Sequence, residues 1–366
     1  SLLAQSYLTM QEPSSSSSSS SPPSSLLELS VYNDSSTDGS MVIVQEYCSR
    51  LRARGCHVVL GSGDRGARPR GCGFAKNRAV QQSSGEVLCF LDADDVMMPQ
   101  RIARQVACLV ERRRATLGRG VEEEGRGVEE GRGVEEDQRC HHQAHQHQQP
   151  FLAEEAKARP ASASALNTVD SVIVGSNFIR DPPQSTARYT DWANSLNDRQ
   201  LMTQRFRENT VVMPTWMCPR SVFDAVGGFN EGGKGTPEDM IFFYHHLRLG
   251  GALAKVHEQL LMYRYHEECT SFSVPPETIW QLRLTEFERA VVDGWDAGFC
   301  IWGAGKEGRR LYRTLSKANQ NKVTAFCDVD PKKLAQGTYN SESNRGRRIP
   351  IIHFRDATPP FVLCVK

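Results

Sequence analysis

The 366-residue chain lacks three things that would each have settled its class early. It has no long hydrophobic run, no excess of either charge and no closely paired cysteines. No apolar stretch approaches the roughly 18–20 residues of a membrane span, and residues 1–11 have neither the length nor the pattern of a signal peptide. Together these absences predict a cytoplasmic protein without a membrane span. The 44 basic residues nearly cancel the 43 acidic ones, which excludes the broad basic face that nucleic acid would require. The eleven cysteines include no CxxC pair. Such scatter predicts reduced thiols and core filler, with Cys89, Cys300 and Cys327 inside apolar runs, rather than a disulfide scaffold. A reducing compartment would also leave the acceptor triplet Asn33-Asp34-Ser35 unglycosylated.

What is present can build a sizeable core, because 39% of residues are hydrophobic, and the length suits two domains. Residues 1–25 form a leader whose Ser/Pro-rich part buries nothing and predicts disorder. From 26 to 110 the pattern predicts strand, helix, strand, helix and strand. The strands are Leu26 to Tyr32, His57 to Leu60 and Glu86 to Leu91, and the helices Met41 to Arg54 and Ala75 to Gln82. Such alternation predicts a parallel sheet with covering helices. Residues 111–170 contain a near-perfect repeat starting at Gly118, Gly125 and Gly131, each unit offering one valine to bury. That is too little for a solenoid and predicts a disordered insertion. The tract Cys140 to His147 offers metal donors, although a Gln/His-rich stretch in low complexity reads first as a solvated loop. Order resumes over 171–298, and a distinct segment follows over 299–366.

Chemistry concentrates where strands end. Asp92-Ala93-Asp94-Asp95 emerges from a buried strand, the place where open α/β sheets bind ligands. Carboxylates one residue apart point to opposite sides of an extended backbone. Asp92 can therefore grip a ribose hydroxyl while Asp94 reaches a divalent cation on a diphosphate, Mg2+ and Mn2+ favouring such oxygen donors. An acidic turn is the plainer alternative. Asp34 sits after an earlier strand in the same way, and Lys76 with Asn77 brings a cation and an amide near a helix start. Glu238-Asp239 opens the helix Met240 to Leu249, where a carboxylate is ordinarily a cap; its chemical reading is a general base. His266 follows the strand Gln259 to Met262 and brings an imidazole toward the same metal.

Four stretches, Leu29 to Ser40, Gly73 to Arg101, Gly175 to Asp191 and Val226 to His266, resemble family 2 glycosyltransferases. The resemblance covers most of 26–110 and 171–366, and the insertion has no counterpart. It implies a GT-A nucleotide-diphospho-sugar transferase fold and an inverting enzyme. Such an enzyme moves a sugar from a UDP-sugar, GlcNAc by closest likeness, to an acceptor hydroxyl on a glycan, protein or lipid. In that family's terms Asp34 contacts the uracil, Lys76 and Asn77 flank the nucleotide, and Asp92 meets the ribose. Asp94 holds the metal, His266 is a further metal or diphosphate ligand, and Asp239 is the base. Family members begin with an apolar strand ending in a Pro-x-x-Asn-like turn. Here the Ser/Pro tract stands in its place, which would bare the neighbouring strand edges and makes an inactive sugar-nucleotide-binding protein one alternative.

The carboxyl-terminal segment carries the second alternative. Phe299 to Trp302 predicts a strand, followed by Gly303, Gly305 and Gly308, the helix Arg309 to Lys317, and a strand ending at Asp328. This spacing is the dinucleotide fingerprint, in which glycines admit the phosphates and the acid takes the ribose. It suggests a small Rossmann-like domain and an NAD-dependent oxidoreductase as the rival function. No catalytic Tyr/Lys or His/Asp set accompanies the fingerprint, so a nucleotide-fold module without NAD is the simpler expectation.

Overall fold

A computed structural model describes residues 1–6, 27–63, 68–124, 171–341, 344 and 346–364, with side chains of 116–124 left aside. The Ser/Pro tract, most of the repeat and the Cys140 to His147 tract lie outside these residues. Strands Glu28–Asn33 (β1) and His57–Ser62 (β2) pair in parallel around helix Ser40–Arg52 (α1). Helix Cys72–Gln81 (α2) packs against β1, where Ser30 Oγ donates to the Ala79 carbonyl at 2.6 Å. Strands Val87–Cys89 (β3) and Val96–Met97 (β4) flank the acidic turn, and helix Arg101–Glu124 (α3) follows. The strand β3 is shorter than its apolar pattern predicts, because the chain leaves the sheet before Asp92.

Two expectations need correction. The helix α3 continues to Glu124, well into the stretch expected to be disordered from 111; its Arg/Glu-rich first repeat contains good helix formers. The main sheet is also mixed rather than parallel, in the order β3-β6-β5-β7-β4. Here Val172–Asp181 is β5, Met217–Pro219 is β6 and Ala252–Arg264 is β7. Strands β5 and β7 run parallel, whereas β6 is antiparallel to both β3 and β5 and β4 is antiparallel to β7. The chain reaches β6 from β5 through residues 182–216 and enters it through the one-turn helix Met213–Thr215. Among the described residues, no strand joins β1 to β3, so β1–β2 forms a separate two-stranded sheet. The Gln82 side chain covers part of the bared β1 edge, donating to the Val31 carbonyl at 2.9 Å.

Helices Ala187–Ser195 (α4), Asp198–Thr203 (α5), Arg220–Val226 (α6), Glu238–Arg248 (α7) and Pro276–Ala290 (α8) enclose the main core. Its centre is Trp216, fully buried, with its indole donating to the Val211 carbonyl at 2.9 Å and its ring against Phe242 and Phe243. Helix α8 serves two cores: Leu282 packs into this one and Leu284 into the next. Beneath the acidic turn Arg101 is fully buried. It donates to the Phe90 carbonyl at 2.8 Å and to Gln105 at 2.9 Å, and Gln105 in turn donates to the Val174 and Thr215 carbonyls. A guanidinium thus fixes the strand end that delivers Asp92.

The second core belongs to a five-stranded sheet of order β10-β11-β9-β8-β12. Its strands are Phe299–Trp302 (β8), Val323–Asp328 (β9), Thr338–Ser341 (β10), Arg347–His353 (β11) and Phe361–Leu363 (β12). Only the β10–β11 pair is antiparallel. Helices Lys306–Thr314 (α9), Lys317–Lys322 (α10) and Pro331–Gln336 (α11) connect them. Among the described residues, no helix is long and apolar enough to cross a membrane.

Replacing Arg101 by Ala leaves the Phe90 carbonyl and Gln105 without their partner and opens a large cavity. We expect a loss of about 3 kcal/mol, read as a lowered midpoint in urea unfolding with an unchanged slope.

Candidate active site

Three chain segments far apart in sequence meet at one lysine. Lys76 Nζ, on α2, lies 3.3 Å from Asp92 Oδ1 after β3 and 3.1 Å from Glu238 Oε1 at the start of α7. Its side chain is only 14% exposed, which makes the pair of carboxylates necessary: a buried ammonium without partners would neutralise. Burial works against its charge, but Asp92 and Glu238 outweigh it and raise its pKa.

The acidic segment is a tight turn, with the Asp95 amide donating to the Asp92 carbonyl at 3.2 Å. Its carboxylates diverge. Asp92 faces Lys76, Asp94 Oδ2 lies 2.9 Å from His266 Nε2, and Asp95 is buried. Asp95 accepts the Arg264 amide at 2.9 Å, which pins the end of β7 beside the turn. Burial pushes its pKa up to about 7, helped by Asp92 and Asp94 and opposed by the Arg264 amide and Arg101. A carboxyl held this way braces the turn.

Asp239 follows Glu238 in the first turn of α7. It accepts its neighbour's amide, Met240 N, at 2.7 Å and the Asn209 side-chain amide at 3.2 Å. The residue keeps partial exposure, and its neighbour Glu238 is buried. Burial, and then Glu238, push its pKa well above the ordinary carboxylate range toward neutrality, with Lys76 and the Met240 amide pulling back. Tyr263, on β7, lies within reach of the same charges. Burial raises its pKa, and the charges of Asp92, Asp239 and Asp95 raise it further, against Arg180. Through Lys76 the acidic turn and the start of α7 are held side by side.

Asp34 turns to the loop before α2, where its Oδ2 accepts the amides of Arg70 and Gly71, each at 2.7 Å. Gly71 has φ +103°, a conformation that favours glycine. Asn77 is buried and its amide is spent internally. It donates to the Phe229 carbonyl and to Glu231, both at 2.9 Å, and accepts the Phe229 amide at 2.8 Å. It braces the loop 227–231 rather than leaving its amide open to a ligand. Gly73 allows that loop its place, since a Cβ there would fall 2.1 Å from the Asn230 carbonyl oxygen.

Reading the sequence missed Glu238 as the partner of Lys76, Asn209 as the partner of Asp239, and Cys269. The thiol of Cys269, with Asp94 and His266, forms a group whose donor atoms all lie within 4.8 Å of one another. A His-x-x-Cys spacing after a strand was the available signal. A groove of about 440 Å³ lined by Val87, Val106, Leu109 and Val110 lies at the other end of β3 from Asp92 and is separate from these groups.

In the carboxyl-terminal sheet, Gly308 is dictated by packing, because a Cβ there would sit 1.9 Å from the Gly303 carbonyl oxygen. Gly303 has φ +116°, and Gly305 faces open space. Asp328, however, does not present a free carboxylate. Its Oδ2 accepts the Ala304 amide at 2.8 Å and its Oδ1 the amides of Val329 and Asp330 at 2.8 and 3.0 Å. Burial opposes its charge, but those amides hold its pKa below the ordinary range. The acid expected to take a ribose instead ties the glycine turn to β9.

Comparison with known proteins places this site in context. Residues 14–151 match the model of glycosyl transferase family 2, a span that holds Asp34, Lys76, Asn77, Asp92 and Asp94 but neither Asp239 nor His266. Over 85 residues the chain is 32% identical to the Bacillus subtilis protein TuaG, named as a teichuronic acid biosynthesis glycosyltransferase. That match covers 23% of this chain and 31% of TuaG, so the chain spans about a third of its relative. Among solved structures, S. aureus TarS 1–349 with UDP-GlcNAc overlaps 88% of this chain and 66% of its own, at 13% identity and a TM-score of 0.46. The same TarS segment with UDP overlaps 87% and 64%, at 12% identity and a TM-score of 0.42. Residues 14–151 are thus similar to family 2 glycosyl transferases, and five of these seven residues lie within that match.

Replacing Asn77 by Ala strands the Phe229 amide in the interior. We expect a loss of about 2 kcal/mol and faster amide hydrogen exchange confined to residues 227–231; unchanged exchange there would contradict the bracing role.

Proposed function

We propose that the protein is an inverting, metal-assisted glycosyltransferase that moves a sugar from a UDP-sugar to an acceptor hydroxyl. One observation carries the reading: Lys76 joins Asp92 to Glu238, and so ties the acidic turn to the helix start that bears the raised-pKa carboxyl of Asp239. The family segment supports the reaction class. The strings Asp94 to Arg101, Phe178 to Pro183, Pro237 to Tyr244 and Phe299 to Gly305 are similar to β-1,3-N-acetylglucosaminyltransferase-like proteins. That likeness favours UDP-GlcNAc as donor in a GT-A fold, with a Rossmann-like module at 299–366.

In this reading Asp34 meets the uracil, Asp92 the ribose, and Lys76 sets the orientation of Asp92 beside the nucleotide. Asn77 holds the loop that closes the nucleotide side. Asp94 and His266 would hold a divalent cation, and its charge would stabilise the departing diphosphate. Their contact fits such a role, because two donors 2.9 Å apart can turn to one ion without moving the backbone. Asp239 accepts the acceptor's hydroxyl proton while that oxygen bonds to the anomeric carbon and the bond to UDP breaks, which inverts the configuration in one displacement. The raised pKa suits a base working near neutral pH. The engaged carboxylate of Asp328 weighs against NAD chemistry in the carboxyl-terminal sheet.

Asp239→Asn should lower the transfer rate by about 10²–10⁴ while UDP binding by calorimetry stays unchanged; loss of both together would remove the base assignment. The base must be unprotonated and its folded pKa is raised, so the wild-type rate should climb as pH rises from acid through neutrality. A rate that is flat over that window would count against Asp239.

A further inference from the structure

The third donor beside Asp94 and His266 changes what the site can bind. Strand β7 ends at Arg264, which is anchored by its amide on Asp95, and Tyr265 N donates to the Asp181 carbonyl at 2.8 Å. The chain then turns sharply: Cys269 N donates to the His266 carbonyl at 3.1 Å, and His266 N donates back to Cys269 Sγ at 3.3 Å. This closed turn puts the imidazole and the thiol on one side, next to Asp94. The imidazole already touches Asp94, and the thiol completes a group of three donor atoms within 4.8 Å of one another.

Donors to a single Zn2+ stand about 2.0–2.3 Å from it, hence at most roughly 4.6 Å apart, so this group needs only side-chain adjustment to close on one ion. Its chemistry is one carboxylate oxygen, one imidazole nitrogen and one sulfur. Mg2+ demands octahedral oxygen ligation and gains little from sulfur, whereas thiolate and imidazole favour zinc-like ions. Three protein ligands with an open fourth position are also the pattern of a catalytic zinc centre, and that position suits a diphosphate oxygen.

We propose that Cys269 is a third protein ligand of the metal, and that the site takes an ion of the Zn2+ or Co2+ class in preference to Mg2+. The proposal rests on the reading that Asp94 and His266 hold the metal. Cys269 binds as the thiolate, its proton passing to solvent. Glu267 and Glu268, in the same turn, are exposed and lie outside the donor group.

The test titrates the full chain with Co2+ alone and follows its absorption. The wild type should show visible ligand-field bands together with a thiolate-to-cobalt charge-transfer band in the near ultraviolet. Cys269→Ser, which retains a hydrogen-bonding group in the turn, should keep the visible bands and its thermal midpoint but lose the charge-transfer band. Its Zn2+ affinity, measured by competition against Co2+, should fall by more than the roughly 10–100-fold cost of altering a group behind a ligand, with Mg2+ affinity unmoved. Visible bands in the wild type without charge transfer overturn the role of Cys269 and leave the Asp94–His266 reading standing. So does a charge-transfer band that survives in Cys269→Ser, which would arise from another thiol. Absence of all cobalt bands in the wild type, or their survival in Asp94→Asn, overturns both.

Discussion

The site depends on one buried ammonium. Lys76 is largely shielded from water and is held between Asp92 and Glu238, so its charge is kept by carboxylates from two other segments rather than by solvent. An ammonium in that position cannot be left with one partner cheaply, because desolvation then outweighs the remaining attraction. The requirement couples α2, the turn after β3 and the start of α7, which span more than 160 positions of chain. Asp239 gains its environment from the same arrangement. Fixing Glu238 on Lys76 places a second carboxylate beside it, and that proximity together with burial drives its proton affinity up.

Around this centre the scaffold supplies rigidity from beneath. Arg101 and Gln105 tie α3 to the carbonyls of β3, β5 and the turn before β6, and Asp95 ties the turn to β7. These bonds use polar side chains at full burial, where each donor aimed at a backbone carbonyl has no water competing for it. The result is a strand end whose two neighbouring carboxylates are delivered to different partners, Lys76 and His266. The alternation expected for an extended backbone is achieved instead by a turn.

Much of this was legible in the residues. Asp94 and His266 were read as donors to one metal, and their side chains meet; Lys76 was read as flanking a nucleotide, without Asp92 as its partner. The mixed sheet was not legible, because β6 is three residues long, too short to leave a periodic pattern. The extension of α3 was hidden by the glycines of the repeat, which follow the good helix formers of Glu111 to Leu117. Glu238 was obscured because an acid at a helix start is ordinarily a cap. Cys269 was passed over because its only signal, a His-x-x-Cys spacing after a strand, is short and common. Asp328 matched a spacing rule, yet the backbone amides that engage it depend on tertiary closeness that spacing does not encode.

The lysine-centred arrangement is most directly tested by a double-mutant cycle on unfolding free energy, with Lys76→Met and Glu238→Gln made singly and together. The account predicts a coupling of roughly 1–3 kcal/mol between them. Effects that add to within about 0.5 kcal/mol would mean that the two groups do not depend on each other, and would contradict it.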